Sequence, residues 1–340
     1  MATLGAVFGA CGIAGGSDRP IVYVSEADGN PDVYAIDAET GESEPVKRGP
    51  GSEFAPSWSG DGERLAYVVS SEGNRDVIIV EYDGAGAELS VSPDNDDGVG
   101  NEGSPLWNAD GDRLAYVSER NGQSDVYVST LDEDGQGDIV TTRITSEESR
   151  ELLGDWSPDG QWLVFSRQGG DDEVQGLWLR NPAGVNLLRL TDGADSDPVW
   201  SPDGDAIAFV RDDLGNNDIY LLKPEDGEDW RGKVVEERWL NSPEEDHSPA
   251  WAPDGDILAF VTDRDGNLEI YTADANEDEP PQRLTINEAS DTQPVWSPDG
   301  DRIAFVTDLF GETEILVMDA DGTNQQRLTH NDAKDHSPDW

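Results

Sequence analysis

The chain has 340 residues, 35% of them hydrophobic, and sets 22 Lys+Arg against 74 Asp+Glu for a formal net charge of −52. A polyanion of this size is repelled by nucleic-acid phosphate and by anionic lipid, so its partners are expected among cations, basic proteins and neutral ligands. With 11 Trp and many short apolar runs it has the makings of a core, which excludes charge-driven disorder. The acid is spread along the whole chain, and Lys47, Lys223, Lys233 and Lys334 are the only lysines, a balance shared by salt-adapted proteins and by high-GC coding.

Residues 1–20, "MATLGAVFGACGIAGGSDRP", open on a short apolar run of small residues ending at "FGAC", followed by Gly and Ser. This resembles a lipoprotein export leader in which Cys11 is lipidated, although no Lys or Arg precedes the run; the alternative is a tail with an incidental cysteine. The run is too short to cross a membrane as a helix. Cys11 is the single cysteine, so no disulfide forms within the chain.

Beyond residue 20 one unit recurs. "IVYVS" (21–25) and "DVYAID" (32–37) read as strands, with a weak third at "EPVKR" (44–48). Then Trp58, Trp107, Trp156, Trp200, Trp251, Trp296 and Trp340 follow at intervals of 44 to 51 residues. Six of them precede a turn tetrapeptide, "SGDG", "NADG", "SPDG", "SPDG", "APDG" and "SPDG", whose Pro, Asp and Gly suit the corners of a tight turn. After each turn comes a β-branched and aromatic run such as "RLAYVS" (113–118) or "RIAFV" (302–306). A second run follows a polar loop, as in "DVYVST" (125–130) or "EILVM" (314–318), and a short closing strand is expected at "RIT" (143–145) or "RLT" (189–191, 283–285, 327–329). Fixed order, short runs and turn signals, with no sustained helical period, make the chain all-β.

Calling the strands A (with Trp), B, C and D, the chain begins at B and finishes at A, with seven of each. A linear array would expose an edge at either end. A radial one closes, so the expected fold is a seven-bladed β-propeller over residues 21–340, four antiparallel strands per blade, with the last blade closed 3+1 by the two ends. Trp340 is then expected beside Val22–Val24.

The register of an acid, "PxWSPDG", "IAF", "xDGxxEIY", "DADG" and "RLT" resembles the TolB-like propeller repeat, and residues 291–329 are a near-complete instance. The resemblance covers residues 21–340. It implies the propeller fold, and it implies an exported, non-enzymatic platform that binds a protein or peptide at the cell envelope, in the periplasm or outside the cell. TolB itself resembles six blades behind an α/β domain, which this chain lacks, so the resemblance bears on the fold far more than on TolB's own role.

Two series of carboxylates fall on the face shared by the D–A and B–C connections. One lies five residues before each Trp: Glu53, Glu102, Glu151, Asp195, Asp246, Asp291 and Asp335. The other precedes strand C: Asp32, Asp76, Asp125, Asp218, Glu269 and Glu314, with Gln175 in the remaining blade. Such acids can hold blade corners by accepting backbone N–H bonds. Alternatively the first series forms a ring at a channel mouth, whose mutual repulsion would recruit cations, a basic partner segment or protons. Oxygen-rich surroundings suit Ca²⁺ or another divalent cation, and Asp263, Asp265, Asn267 and Glu269 alternate as in a calcium loop but lack its distal bidentate Glu. The seven Trp are expected as core between blades. Trp230, Arg231, Lys233 and Trp239 lie in and just after the longest insertion (223–246) and form a candidate recognition loop; "SVSPDNDDGVGNEGSP" (90–105) and "SRQGGDDEVQG" (166–176) are irregular connections on the carboxylate face.

No G-x-S-x-G elbow is present, which excludes an attached α/β-hydrolase site. Of three histidines, His330 stands apart, while His247 and His336 share one repeat position four residues before Trp. They could flank the mouth of a metal-dependent polysaccharide lyase or hydrolase, although no His-x-His or His-x-x-x-His spacing supports a metal. A structural cell-surface component is a further alternative. No catalytic residue is assigned, and a monomer is expected.

Overall fold

The computed structural model describes residues 19–46, 50–82, 88–91, 101–132, 139–147, 149–169, 175–213, 215–225, 229–240, 242–276 and 279–340. Its strands form seven four-stranded antiparallel sheets, each a blade in the order A-B-C-D. We number the blades from the N-terminus. Blade 1 joins Asp335–Asp339 (A) to Ile21–Ser25 (B), Asp32–Ile36 (C) and Ser43–Pro45 (D). The other A strands are Ser52–Trp58, Glu102–Trp107, Arg150–Trp156, Asp195–Trp200, Asp246–Trp251 and Asp291–Trp296, for blades 2 to 7. Each A strand packs on those of both neighbouring blades, blade 7 on blade 1 and blade 1 on blade 2 included, so the ring is closed. Closure rests on Val22 opposite Asp339, Val24 opposite His336 and Ser25 opposite Asp335, with Trp340 buried beside them as expected.

The core is divided into seven clusters, each built from two consecutive blades. In blade 5, Ile207 and Phe209 pack towards blade 4, while Ala208 and Val210 pack towards blade 6. Both faces of a blade are therefore buried, which is why the B strands read as continuous apolar runs and not as alternation. Tyr67, Tyr116, Phe165, Phe209, Phe260 and Phe305 occupy one equivalent position and are all fully buried. The Trp series belongs to the same interblade core and adds a polar tie: the indole N–H of Trp156, Trp251 and Trp296 donates to Leu106, Val199 and Ala250 on the preceding blade's inner strand, at 3.0, 3.3 and 3.0 Å.

The turn after each Trp works as its sequence suggests. In blade 7 the Ser297 hydroxyl donates to Asp299 (2.6 Å) and accepts from the Arg302 N–H (2.9 Å), and Gly300 supplies the left-handed residue at φ +76°. The closing strands differ from expectation. They end at the arginine, as in Val140–Arg143, Leu187–Arg189, Gln282–Arg283 and Gln326–Arg327, and the Thr of "RLT" lies beyond them. That Thr is buried and accepts a strand-C N–H: Val126 to Thr145, Leu177 to Thr191, Ile270 to Thr285 and Ile315 to Thr329, at 2.8 to 2.9 Å. A ladder bond is replaced by a hydroxyl, because the chain must leave strand D here to start the next blade.

A second feature was not visible in the sequence. Six inner strands carry a β-bulge in which the residue two past the acid is left-handed: Ala55, Ser104, Asp197, Ser248, Gln293 and Ser337, at φ 47 to 53°. Ser104, Asp197 and Gln293 are the exposed positions of their strands.

Candidate functional site: the carboxylate face

The strand polarities place both carboxylate series on one face, as the D–A and B–C connections require. None of the seven acids before Trp is an open group, however; all are at most 3% exposed. Their environments divide the ring. In blades 3 to 6 an arginine from the end of strand B turns back onto the acid. Arg120 pairs with Glu102; Arg167 reaches Glu151 at 3.2 Å; Arg211 holds Asp195 through Nε and Nη2 at 2.6 and 2.9 Å; Arg264 meets Asp246 at 2.8 Å. Each guanidinium also lies over an aromatic ring of strand C, Tyr127, Trp178, Tyr220 or Tyr271, at 4.4 to 4.8 Å.

Blades 7 and 1 differ. Asp291 Oδ2 accepts the Asn287 amide (2.6 Å) and Asp335 Oδ2 the Asn331 amide (2.7 Å), with Thr and Ser hydroxyls nearby but each Oδ1 buried without a hydrogen-bond partner; among the described residues neither is paired with an arginine. Burial pushes both carboxyls above their ordinary range despite these bonds. Glu53, in blade 2, is equally buried. Burial also pushes Glu151 up to about 7, with Ser149, Arg167 and Thr145 opposing it.

The acids preceding strand C face the arginine of strand D. Arg143 meets Asp125 (2.7 Å), Arg238 Asp218 (2.5 Å), Arg283 Glu269 (2.8 Å) and Arg327 Glu314 (2.5 Å). Where Gln175 replaces the acid, Arg189 turns to the Gln175 carbonyl at 2.7 Å. Asp32 and Asp76 are met by Asn30 and Asn74 at 3.3 and 3.0 Å. The buried Thr after strand D joins the two series, donating to Glu151 from Thr145 (3.1 Å) and to Asp195 from Thr191. In blades 3 and 4 this hydroxyl couples strand C to the first acid of the next blade, whereas in blade 7 Thr329 donates to Glu314 of its own blade (2.5 Å).

The calcium-loop residues are engaged in the same way. Glu269 is taken by Arg283, Asp265 pairs with Arg283 (3.0 Å) and accepts the Tyr271 hydroxyl, Asn267 donates to Glu269 (2.8 Å), and Asp263 accepts the Glu245 N–H (3.1 Å). Among the described residues no group of three His, Cys, Asp or Glu is arranged to hold a metal. His247 and His336 are half-buried, two blades apart, each sharing Nδ1 with the next serine hydroxyl (Ser248, 2.9 Å; Ser337, 3.0 Å), and burial pushes both imidazoles below their usual pKa.

The candidate recognition loop is split between the two faces: Trp230, Arg231 and Lys233 lie on the C–D connection at the opposite face, while Trp239 follows strand D at the carboxylate-face end. Trp230 packs edge-on against Trp200 (4.6 Å) and donates to the Gly204 carbonyl (3.1 Å), and Trp239 packs edge-on against Phe260 (5.8 Å). Arg231 and Lys233 are exposed and paired locally with Asp229 and Glu225. Cys11, residues 92–100 and residues 170–174 fall outside the described residues.

Sequence reasoning missed two further carboxylates, Asp155 and Asp339, four residues past the acid of blades 4 and 1. Each bridges inner strands: Asp155 accepts the N–H of Trp156 (2.8 Å) and Trp200 (2.9 Å), and Asp339 that of Trp58 (2.7 Å). Burial pushes both up, Asp155 to about 6. The signal was their repeat position, which in the other blades holds Ser57, Leu106, Val199, Ala250 and Val295.

Seven blades, Trp ties and acid–Thr latches between blades define the class: a closed β-propeller whose repeat is locked by buried charge. The chain belongs to the TolB beta propeller domain family, whose model matches residues 16–192 and 233–340. A TolB homolog of Chlorobium luteolum is 33% identical over 135 residues, 39% of this chain and 28% of that protein. The chain spans less than half the length of the curated relatives it matches. Among solved structures, TolB of Acinetobacter baumannii superposes with a TM-score of 0.59 at 18% identity over 96% of this chain and 68% of that one. An oligogalacturonate lyase in complex with manganese gives 0.66 at 19% over 87% and 84%. At these identities the likeness is one of fold alone.

Proposed function

We propose that the chain is a non-enzymatic binding platform that takes a basic protein or peptide segment on its carboxylate face. The observation that carries this reading is the uneven neutralisation of the acid ring: arginines answer the acids of blades 3 to 6, while Asp291 and Asp335 have only neutral partners. With −52 on the whole chain, the field on this face draws cationic groups, and the sector over blades 7 and 1 lacks the arginines that blades 3 to 6 set beside the ring. The similarity to TolB supports an exported protein acting in the periplasm, at the envelope or outside the cell, with residues 1–20 as leader, Cys11 as its lipid attachment point, and the propeller as a monomer.

The test is fluorescence anisotropy with a labelled lysine/arginine dodecapeptide at 50 mM and 500 mM NaCl. Binding that weakens steeply with salt supports the reading; absence of binding at both overturns it. A second reading, a metal-dependent polysaccharide lyase, is favoured by the manganese-bound lyase of similar fold and by two imidazoles at one repeat position whose proton affinity burial lowers. Calorimetry with Mn²⁺ and Ca²⁺ separates the two. Heat of binding that disappears in the H247A/H336A variant would move the function to the lyase class.

A further inference from the structure

Blades 6 and 7 supply an internal comparison. Their B–C turns, "TDRDGNLE" (262–269) and "TDLFGETE" (307–314), align without a gap and share one backbone. In both, the first Asp accepts an N–H from the D–A connection, Glu245 to Asp263 (3.1 Å) and Ser290 to Asp308 (2.8 Å). In both, the turn glycine donates to that Asp's carbonyl, Gly266 at 2.8 Å and Gly311 at 3.0 Å, from a left-handed conformation. Between that Asp and the glycine the two residues differ in kind, as do Asn267 and Leu268 against Glu312 and Thr313 beyond it. In blade 6, Arg264 folds in to pair with Asp246, and Asp265 pairs with Arg283. In blade 7 these positions are Leu309 and Phe310, which are 48% and 46% exposed.

The exchange gives up two ion pairs for a single ring contact. It removes the partner that Asp291 would have had, leaving that acid to Asn287, and it puts two large apolar side chains in water on an unchanged scaffold. Arg327, the counterpart of Arg283, lies 4.1 Å over the Phe310 ring and braces it on its outer side. Ile286, on the D–A connection that enters the same blade, is 74% exposed. These are three of the six large apolar side chains exposed among the described residues, and all three sit on the carboxylate face at one blade boundary. Scattered single exposures need no explanation; neighbouring Leu309 and Phe310 at one turn tip, with Ile286 on the connection entering the same blade, do. Around them Glu288, Asp308 and Glu312 are exposed.

We propose that the blade 7 turn, with Leu309 and Phe310 at its tip and Ile286 on the connection entering the same blade, is the docking point for a basic segment that also carries apolar side chains, its Lys or Arg addressing Glu288, Asp308 and Glu312. Charge complementarity selects this occupant. A second copy of the chain would bring another −52 and is repelled; a purely cationic segment would leave the apolar tip in water. The proposal rests on the basic-partner reading above and adds where the partner sits and what else it must present.

The experiment uses three labelled dodecapeptides: basic with interspersed Phe and Leu, basic with Ser and Gly in their place, and acidic with Phe and Leu. Each is titrated by fluorescence anisotropy against the full chain and against L309R/F310D, which reinstates the blade 6 pairing; matching thermal melts establish that the variant folds. The basic apolar peptide should bind at least tenfold tighter than the basic polar one, and the variant should erase that preference while also weakening the basic polar peptide, since it answers Asp291 with an arginine. Equal affinity of the two basic peptides for the wild type overturns the docking point but leaves the basic-partner reading standing. Preference for the acidic apolar peptide overturns the partner's charge. A preference that survives L309R/F310D places the contact elsewhere and ends the proposal. If none of the three binds, both readings fall together.

Discussion

Glu151 shows how the repeat's charges work on the fold. Its Oε1 accepts the Ser149 hydroxyl (2.7 Å), its Oε2 accepts that of Thr145 (3.1 Å), and Arg167 lies 3.2 Å away, yet burial dominates and pushes the group from 4.5 to about 7. Asp155 moves in the same direction, from 3.8 to about 6. An acid whose folded pKa is raised is protonated in the native chain while its unfolded counterpart has already ionised. Stability from such a group is complete below its unfolded pKa and is lost as pH rises through the folded one. The expected result is a melting temperature that falls as pH is raised from 5 to 8, with Glu151→Gln flattening the upper part of the decline; an unchanged slope in the variant would locate the proton elsewhere. The acid positions themselves were legible as a series five residues before Trp. Their partners were not, because Arg120, Arg167, Arg211 and Arg264 stand 16 to 18 residues along the chain and only strand pairing brings them back.

The elements were read almost as they stand, since β-branched runs, Pro-Asp-Gly turns and a repeat in fixed register all agree. The bulge on the inner strands escaped, because period-2 patterning carries no sign of a left-handed residue next to a proline. Blade 4 shows how tight this region is. There Gly154 replaces the proline, and a Cβ at that position would meet the Pro198 ring at 2.4 Å and the carbonyls of Pro198 and Val164 at 2.8 and 2.9 Å. Two of those contacts are backbone and cannot swing away. Gly154→Ala should therefore cost about 1–3 kcal/mol of stability. Gly103→Ala, on the inner strand of blade 3 with nothing within 4 Å of its Cβ, should change the denaturation midpoint very little. Equal midpoints for the two variants in urea would mean that blades 4 and 5 are packed more loosely than these distances show. The closing strands are present as expected but end at the arginine: "RLT" reads as strand by propensity, while its Thr leaves the ladder and gives its hydroxyl to a strand-C N–H.

At the scale of the molecule, seven inner strands could be counted from Trp alone, and the pairing of Asp335–Asp339 with Ile21–Ser25 closes the circle that the count required. What the sequence leaves unresolved is where the −52 acts. The structure sorts it into two populations with opposite responses to salt. Acids of the two series, Asp76 apart, are buried against arginines, amides and hydroxyls inside the blades, where mobile ions do not reach. The remaining acids crowd the surface with few cations near them, and their mutual repulsion favours the expanded chain. Screening falls from a range of about 30 Å at 0.01 M salt to about 3 Å at 1 M, so added NaCl relieves the second population and leaves the first intact. The melting temperature should rise continuously between 0.05 and 1 M NaCl, and sodium chloride should be about as effective as potassium chloride if screening alone is at work. A melting temperature that falls with salt would show the opposite balance, a ring held mainly by exposed ion pairs, and would remove the electrostatic ground for a cationic partner at the carboxylate face.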